Sequence, residues 1–465
     1  MKRGLTAALA ALVLATPAHA AGPKLWVGAA EDAVKSVDPV TVKAKLTMAR
    51  LAGLDTIRIT VLWARDQKAI PRAEEAQLAA VEQAARLAGT RVVVSIYPFG
   101  SSQTPLTDES RTQFSDYTAT VARAHPGFRE FIIGNEPNIN RFWLPQFGDD
   151  GSSVSAAAFY LLLAQTYDAL KAVSPAIRVW GTGLSPRGSD NPLLARHTHS
   201  PTKFIRDLGA AWRASGRLEP IMDGLAIHPY GDNSSQAPRD SAHPNSTYIG
   251  LADYDKLNAL LVEGFGRELP ILYDEYGVET EIPAAKTSLY SGTEPATTKP
   301  VDEATQAAYY RQAVELTFCQ PNVQGLLLFH VEDETARLSW QSGMYYADGA
   351  PRASLTAVRK AAEESRRGVV ARCPDLKLTP KATLRYAGGR AFRLRCDIDC
   401  AYTVVVRSGN KLVARQSGRA VGRVPKRLAF RLPGGKRARA EATLRAPVNP
   451  GPAGRAASGW IIAPL

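Results

Sequence analysis

Two glutamates in this 465-residue chain stand where a short apolar run gives way to polar residues. Glu136 falls in Ile-Gly-Asn135-Glu136-Pro137-Asn138, and Glu275 closes Ile-Leu-Tyr-Asp274-Glu275-Tyr276-Gly277. A carboxylate at the end of an apolar strand is costly unless partners or a chemical task compensate. Two carboxylates facing each other across a cleft suit cleavage of a glycosidic bond. They stand about 5–5.5 Å apart for retention of configuration and roughly 6.5–9.5 Å for inversion. Trp63, Trp143 and Trp340 follow the second, fourth and eighth apolar runs, and their ring faces suit the apolar faces of sugars, so they are candidate binding platforms.

The elements that must position these residues are legible in the apolar pattern. Eight short apolar runs lie at 25–30, 56–62, 91–97, 131–136, 178–183, 224–230, 270–275 and 325–332. Amphipathic segments alternate with them, among them 40–52, 74–88, 110–124, 156–173, 201–215, 254–264 and 302–317. Continuous apolar strands joined by helical crossovers predict a parallel sheet covered on both faces. Run ends near 136, 183, 230 and 275 are 47, 47 and 45 residues apart, one strand–helix unit each. Eight units over about 350 residues predict an α/β fold, a (β/α)8 barrel, whose chemistry sits at the C-terminal ends of the strands. Strands four and seven lie on opposite sides of such a barrel, so Glu136 and Glu275 can meet across its mouth. A doubly wound sheet is the alternative, and it would call for a phosphate-binding fingerprint that the sequence lacks.

Asn135-Glu136-Pro137 on the fourth strand, with a glutamate on the seventh, resembles the retaining glycoside hydrolases of clan A, the cellulase family 5 and its relatives. The resemblance spans about residues 25 to 365. Arg58 on run two matches the clan's arginine near the nucleophile, and His228-Pro229-Tyr230 matches its His-x-Tyr pattern at strand six. The resemblance implies Glu136 as acid/base, Glu275 as nucleophile, Asn135 on the sugar's 2-hydroxyl and Tyr230 hydrogen-bonded to the nucleophile. Arg58 would keep Glu275 ionised. At the end of strand three the pattern often has a histidine where this chain has Tyr97. At strand eight, where a tryptophan is common, it reads Phe329-His330-Val331-Glu332-Asp333-Glu334, leaving Trp340 as the sugar platform. Neither cofactor nor metal is expected.

Net charge divides the chain. Its formal +13 conceals a tail, residues 376–465, with 19 Lys+Arg against Asp397, Asp399 and Glu441. The tail carries +16 and the rest −3, so the basic pI near 9.6 says nothing about the body. Alternating strands at 391–395, 402–407, 411–415, 427–432 and 439–445 predict a small antiparallel β-sandwich. Such a field should attract polyanions: an anionic cell-wall polymer, an acidic polysaccharide or nucleic acid. Export and the lack of an aromatic-rich base-stacking strand disfavour nucleic acid.

Residues 1–20 read as a cleaved secretory signal: Lys2 and Arg3, an apolar stretch, then Ala18-His19-Ala20. Nothing later is apolar for long enough to span a bilayer. Four cysteines suit an oxidising destination, with Cys396–Cys400 and Cys319–Cys373 as the expected bridges. The expected protein is therefore an exported monomeric glycosidase. Residues 1–20 form its signal, 21–373 its catalytic domain and 376–465 a basic accessory domain bound to an anionic cell-wall polymer. The alternatives are a non-catalytic polysaccharide-binding barrel and a cell-wall transglycosylase that passes the glycosyl group to a sugar.

Overall fold

The computed structural model describes residues 21–432 and 434–462, and the expected signal at 1–20 lies outside them. Eight parallel strands close into a barrel in chain order: β1 (Trp26–Ala30), β2 (Thr56–Trp63), β3 (Arg91–Pro98), β4 (Glu130–Ile133), β5 (Arg178–Leu184), β6 (Gly224–Ile227), β7 (Ile271–Tyr276) and β8 (Val323–Phe329). β8 pairs back onto β1. Helices α1 (Pro39–Leu51), α2 (Arg72–Ala88), α3 (Asp108–Ala124), α4 (Ser155–Val173), α5 (Pro201–Ala214), α6 (Tyr254–Phe265), α7 (Glu303–Phe318) and α8 (Ala353–Arg366) form the outer layer. Side chains of Asp38, Thr107, Ser200 and Asp302 cap α1, α3, α5 and α7 by accepting backbone N–H groups of the first turn.

The strands read as unbroken apolar runs because both faces are covered. Trp26, Val93, Ile132, Trp180, Ala226, Leu272 and Leu327 form one cluster, and the alternate strand residues join the larger core beneath the helices. Trp26 meets Trp180 edge-on at 6.1 Å, and the guanidinium of Arg91 lies 3.9 Å over the Trp26 ring. All are at or near strand starts, so this end of the barrel is plugged and the opposite end is left for a site.

Three of the departures from the sequence expectation shape that site. β4 stops at Ile133, because Gly134 (φ 96°) and Glu136 (φ 43°) leave the extended region. β6 stops at Ile227, ahead of His228 and Tyr230. β7 carries a bulge: Tyr273 pairs with Leu326 but Tyr276 with Leu328, three residues advancing against two. Bulges re-aim side chains, and this one brings the adjacent Asp274 and Glu275 to the same side.

Beyond α8 the chain forms two antiparallel sheets. β9 (Ala382–Tyr386), β10 (Ala391–Cys396) and β13 (Lys426–Ala429) make one, in the order β13-β10-β9. The other is a five-stranded sheet in which β12 (Lys411–Ala420), β11 (Cys400–Ser408), β14 (Arg437–Arg445) and β15 (Gly454–Ala457) follow one another and β16 (Ile461–Ile462) pairs with β14. Leu384, Phe392 and Leu394 from the first sheet pack on Val404, Val406 and Leu444 from the second. β9, β15 and β16 escaped the sequence pattern. β9 buries only Leu384 well, and β15 is Gly-Arg-Ala-Ala, with no large apolar residue to reveal it.

Disulfides join Cys319 to Cys373 and Cys396 to Cys400. Leu378, Ile398 and Ala446 join the barrel's core cluster, and Arg367 grips Asp399 with two hydrogen bonds of 2.9 and 2.8 Å. Among the described residues no helix is long and apolar enough to cross a membrane.

Candidate active site

At the open end of the barrel, Arg58 is the hub. It points inward from β2 and is almost fully buried. Its Nη1 donates to Oε1 of Glu275 at 2.5 Å, and its Nη2 donates to Asn135 Oδ1 at 3.0 Å and Ser95 Oγ at 3.2 Å. Nε lies 3.4 Å from Oδ2 of Asp274. Burial alone would lower the guanidinium's pKa, but the charges of Glu275 and Asp274 outweigh it and the net shift is upward. A buried charge persists only with such partners.

The second oxygen of Glu275 accepts the Tyr230 hydroxyl at 3.1 Å. Burial, followed by the charge of Glu275, pushes the Tyr230 hydroxyl far above its ordinary range, so it stays a donor. His228, wholly buried, lies between the carboxyl groups. Its Nδ1 is 3.1 Å from Glu136 Oε1 and 3.3 Å from Glu275 Oε2, while Nε2 is 3.3 Å from Asp274 Oδ2. The facing oxygens of Glu136 and Glu275 are therefore no further apart than the sum of two contacts to one nitrogen. Burial opposes the charged imidazole, yet Glu275 and Asp274 raise its pKa to about 10.

Glu136 is held by backbone. Its N–H donates to the Gly183 carbonyl at 2.7 Å, and Asn138 ties the same loop to Ser185 and His199. Gly183 sits at φ 57°, in the left-handed region that L side chains rarely adopt, which explains a glycine there.

Two cavities meet at Glu136. One, of about 430 Å³, contains Arg58, Tyr97, Asn135, Glu136, Tyr230, Glu275 and Trp340. The other, of about 490 Å³, shares Glu136, Tyr230 and Trp340 and extends past Arg187, Asp232 and Glu279. Trp340 lies 4.9 Å from the Tyr230 ring and 5.2 Å edge-on from Phe329. Tyr97 borders the first cavity, its hydroxyl pushed up to about 12 by burial.

Eight of the ten residues selected from sequence for this site are thus gathered in it: Glu136, Glu275, Asn135, Arg58, His228, Tyr230, Trp340 and Tyr97. Trp63 and Trp143 are not, which corrects their reading as sugar platforms. Trp63 is fully buried edge-on against Phe114 of α3, and Trp143 is buried against Phe159 of α4. Strand alternation carries the signal for Trp63: it shares parity with Ile57, Ile59 and Val61, not with inward-facing Arg58. Asp274 and Ser95 were missed, although each occupies an inward position near a strand end. His330 (φ 74°), Glu31, Asp32, Arg141 and Glu334 also line the first cavity. Among the described residues no group of three or more His, Cys, Asp or Glu is arranged to hold a metal ion.

No protein-family model matches the chain, and no curated protein matches its sequence. Solved structures do. A family 39 glycoside hydrolase from the gut symbiont Bacteroides cellulosilyticus WH2 superposes with a TM-score of 0.52 at 15% identity, covering 88% of this chain and 81% of its own. GH5_18 from Streptomyces cattleya gives 0.53 at 16% identity, with 78% and 85% covered. A glucosidase from Croceicoccus marinus gives 0.51 at 11% identity, with 89% and 95% covered. The chain is therefore similar in fold to clan A-like glycoside hydrolases.

Proposed function

We propose that this protein is a retaining O-glycosyl hydrolase acting on a poly- or oligosaccharide. One observation carries the reading: Arg58 and Tyr230 each hold one oxygen of Glu275, while Glu136 faces it through His228. A carboxylate gripped at both oxygens is oriented for attack, as a nucleophile requires. Arg58 and His228 set two positive charges beside Asp274 and Glu275, and His228 also reaches Glu136 at 3.1 Å. That both carboxyl groups reach the same His228 nitrogen, at 3.1 and 3.3 Å, supports retention rather than inversion.

In the first step Glu275 attacks the anomeric carbon, the glycosidic C–O bond breaks, and Glu136 gives its proton to the departing oxygen. The glycosyl group is then an ester on Glu275. In the second step Glu136, now a carboxylate, takes a proton from water, whose oxygen displaces Glu275 from the anomeric carbon. Asn135, fixed by Arg58, is placed for the 2-hydroxyl. Because Glu275 lines only the first cavity and Glu136 lines both, the glycone belongs in the first and the leaving group in the second.

We assign residues 21–373 to the catalytic domain and 376–465 to an accessory domain, with export through residues 1–20. Two disulfides are in keeping with an oxidising destination. The test is turnover of a panel of aryl glycosides by the wild type, Glu136→Gln and Glu275→Gln. A substrate that is cleaved with both variants depressed at least a hundredfold supports the assignment. Unaltered turnover in both would overturn it.

A further inference from the structure

The outer face of the five-stranded sheet gathers charge in a way the sequence pattern alone did not resolve. Register places the outward residues in rows. Arg419, Ala401 and Arg445 form one row, and Ser417, Thr403, Thr443 and Arg455 the next. Arg415, Val405 and Glu441 follow, and then Arg407 opposite Arg439. Thr403 and Ser417 are hydrogen-bonded at 2.9 Å, which fixes the shared face. The intervening residues Tyr402, Val404, Val406, Ala438, Ala440, Ala442 and Leu444 point into the sandwich core.

Arg437, two residues before Arg439, extends the charged face toward Trp460, with its guanidinium 4.8 Å from the Trp460 ring. Trp460 is 43% exposed and adjoins Ile461, which packs inward opposite Ala438. The sheet thus presents a centre of Ala401, Thr403, Thr443, Val405 and Glu441, a rim of arginines and one open aromatic ring. Like charges directly opposite on neighbouring strands are destabilising, yet Arg407 faces Arg439. Among the described residues the only carboxylate near these arginines is Glu441, 3.9 Å from Arg439. The opposite sheet is also basic, with Arg393 between Arg385 and Arg427, but there Arg395 and Arg427 are tied to backbone carbonyls, whereas on this face Arg407 alone is so held among the described residues, by Asn410 at 3.3 Å.

We propose that this face binds an acidic polysaccharide, one bearing a carboxylate on its sugar rings. Guanidinium groups pair with carboxylates through two parallel hydrogen bonds. An exposed indole beside them offers a stacking surface for a pyranose ring. Ala401, Thr403 and Thr443 at the centre let an extended chain lie close to the sheet. The choice of a polysaccharide over a nucleic acid rests partly on the carbohydrate reading of the barrel. Binding is read independently of hydrolysis, so the two can fail separately.

The test uses the full-length protein in affinity electrophoresis through gels containing polygalacturonate, neutral glucan or single-stranded DNA. Polygalacturonate should retard the wild type and neutral glucan should not, with retardation fading as salt is raised. The Arg407→Ser/Arg415→Ser/Arg439→Ser variant should lose about tenfold or more in affinity, and Trp460→Ala several-fold. The opposite-sheet control Arg385→Ser/Arg393→Ser should lose less than twofold, and all variants should keep wild-type hydrolysis of a soluble aryl glycoside. Equal losses in the control would reduce the effect to net charge and overturn the site. Tighter binding to DNA than to polygalacturonate would overturn the polysaccharide, and no retardation would overturn both.

Discussion

His228 Nε2 lies 3.3 Å from Asp274 Oδ2, and neither side chain is exposed. Burial would discharge the imidazole, but Glu275 and Asp274 raise its pKa from 6.5 to about 10. The native state therefore keeps a proton that the unfolded chain releases near pH 6.5. The stabilisation is complete below that pH and is lost as pH rises toward 10. The expected outcome is a melting temperature that falls across this window. In Asp274→Asn the fall should be shallower, because the histidine loses an anion that holds its proton. The same variant should lose at least tenfold in kcat/KM, since Arg58 and His228 both lose an anchor. An unchanged pH slope by calorimetry would count against the pairing.

Tyr230 should matter through its hydroxyl alone. Its ring is fixed by Trp340 and Phe329, at 4.9 and 6.3 Å, so Tyr230→Phe keeps the packing and removes only the donor to Glu275. One hydrogen bond to a charged group is worth about 1.5–3 kcal/mol. The expected loss is roughly ten- to a hundredfold in kcat/KM, with the melting temperature nearly unchanged.

The two kinds of tryptophan should separate cleanly. Trp340 borders both cavities, so Trp340→Ala should raise KM several-fold while the fold survives. Trp63 lies in the core against Phe114, so Trp63→Ala should cost about 3–5 kcal/mol of stability through the cavity it leaves. KM for the protein that remains folded should not change. Denaturant titration and steady-state kinetics on the same preparations decide the matter.

The contrast shows what a sequence can disclose. The barrel was legible because a strand covered on both faces must be apolar throughout, and eight such runs recur with helices between them. Glu136, Glu275 and Tyr230 were legible because polar groups at the ends of those runs need a reason to be there, and Arg58 because it matches the clan's arginine on the second strand. Direction was harder to read. Trp63 follows its run just as Glu275 does, yet strand parity turns it toward α3. Glu275 carries the opposite difficulty: alternation groups it with the outward Ile271 and Tyr273, and the bulge in β7 brings it beside Asp274, which keeps the inward parity of Leu272. In the tail, β15 offers too little apolar surface to announce a strand, though Leu444 and its neighbours on β14 did.

Glu279 borders the second cavity four residues beyond Glu275, and burial, then the nearby Glu294, push its carboxyl up to about 8. The unfolded chain ionises near 4.5 and the native state only near 8, so the native form holds an extra proton between them. Stability should therefore decline as pH rises through that interval. Glu279→Gln, which keeps the shape and cannot ionise, should flatten this part of the profile and be the more stable protein at pH 8. A variant with the wild-type slope would refute the assignment.

Cys319 at the end of α7 and Cys373 beyond α8 are 54 residues apart, and the segment between them includes β8 and α8, the last unit of the barrel. Closing a loop of that length in the unfolded chain is worth about 4 kcal/mol on the chain-entropy model. Cys396 and Cys400 close a loop of only 4 residues, whose unfolded entropy is already small. Unequal effects follow. Cys319→Ser/Cys373→Ser should lower the denaturant midpoint of the barrel markedly, because the strand it secures completes closure onto β1. Cys396→Ser/Cys400→Ser should leave the barrel's transition in place and shift, at most, that of the tail. Unfolding followed by tryptophan fluorescence reports mainly on the barrel, which holds six of the seven tryptophans. Equal shifts from the two pairs would contradict the loop-length account.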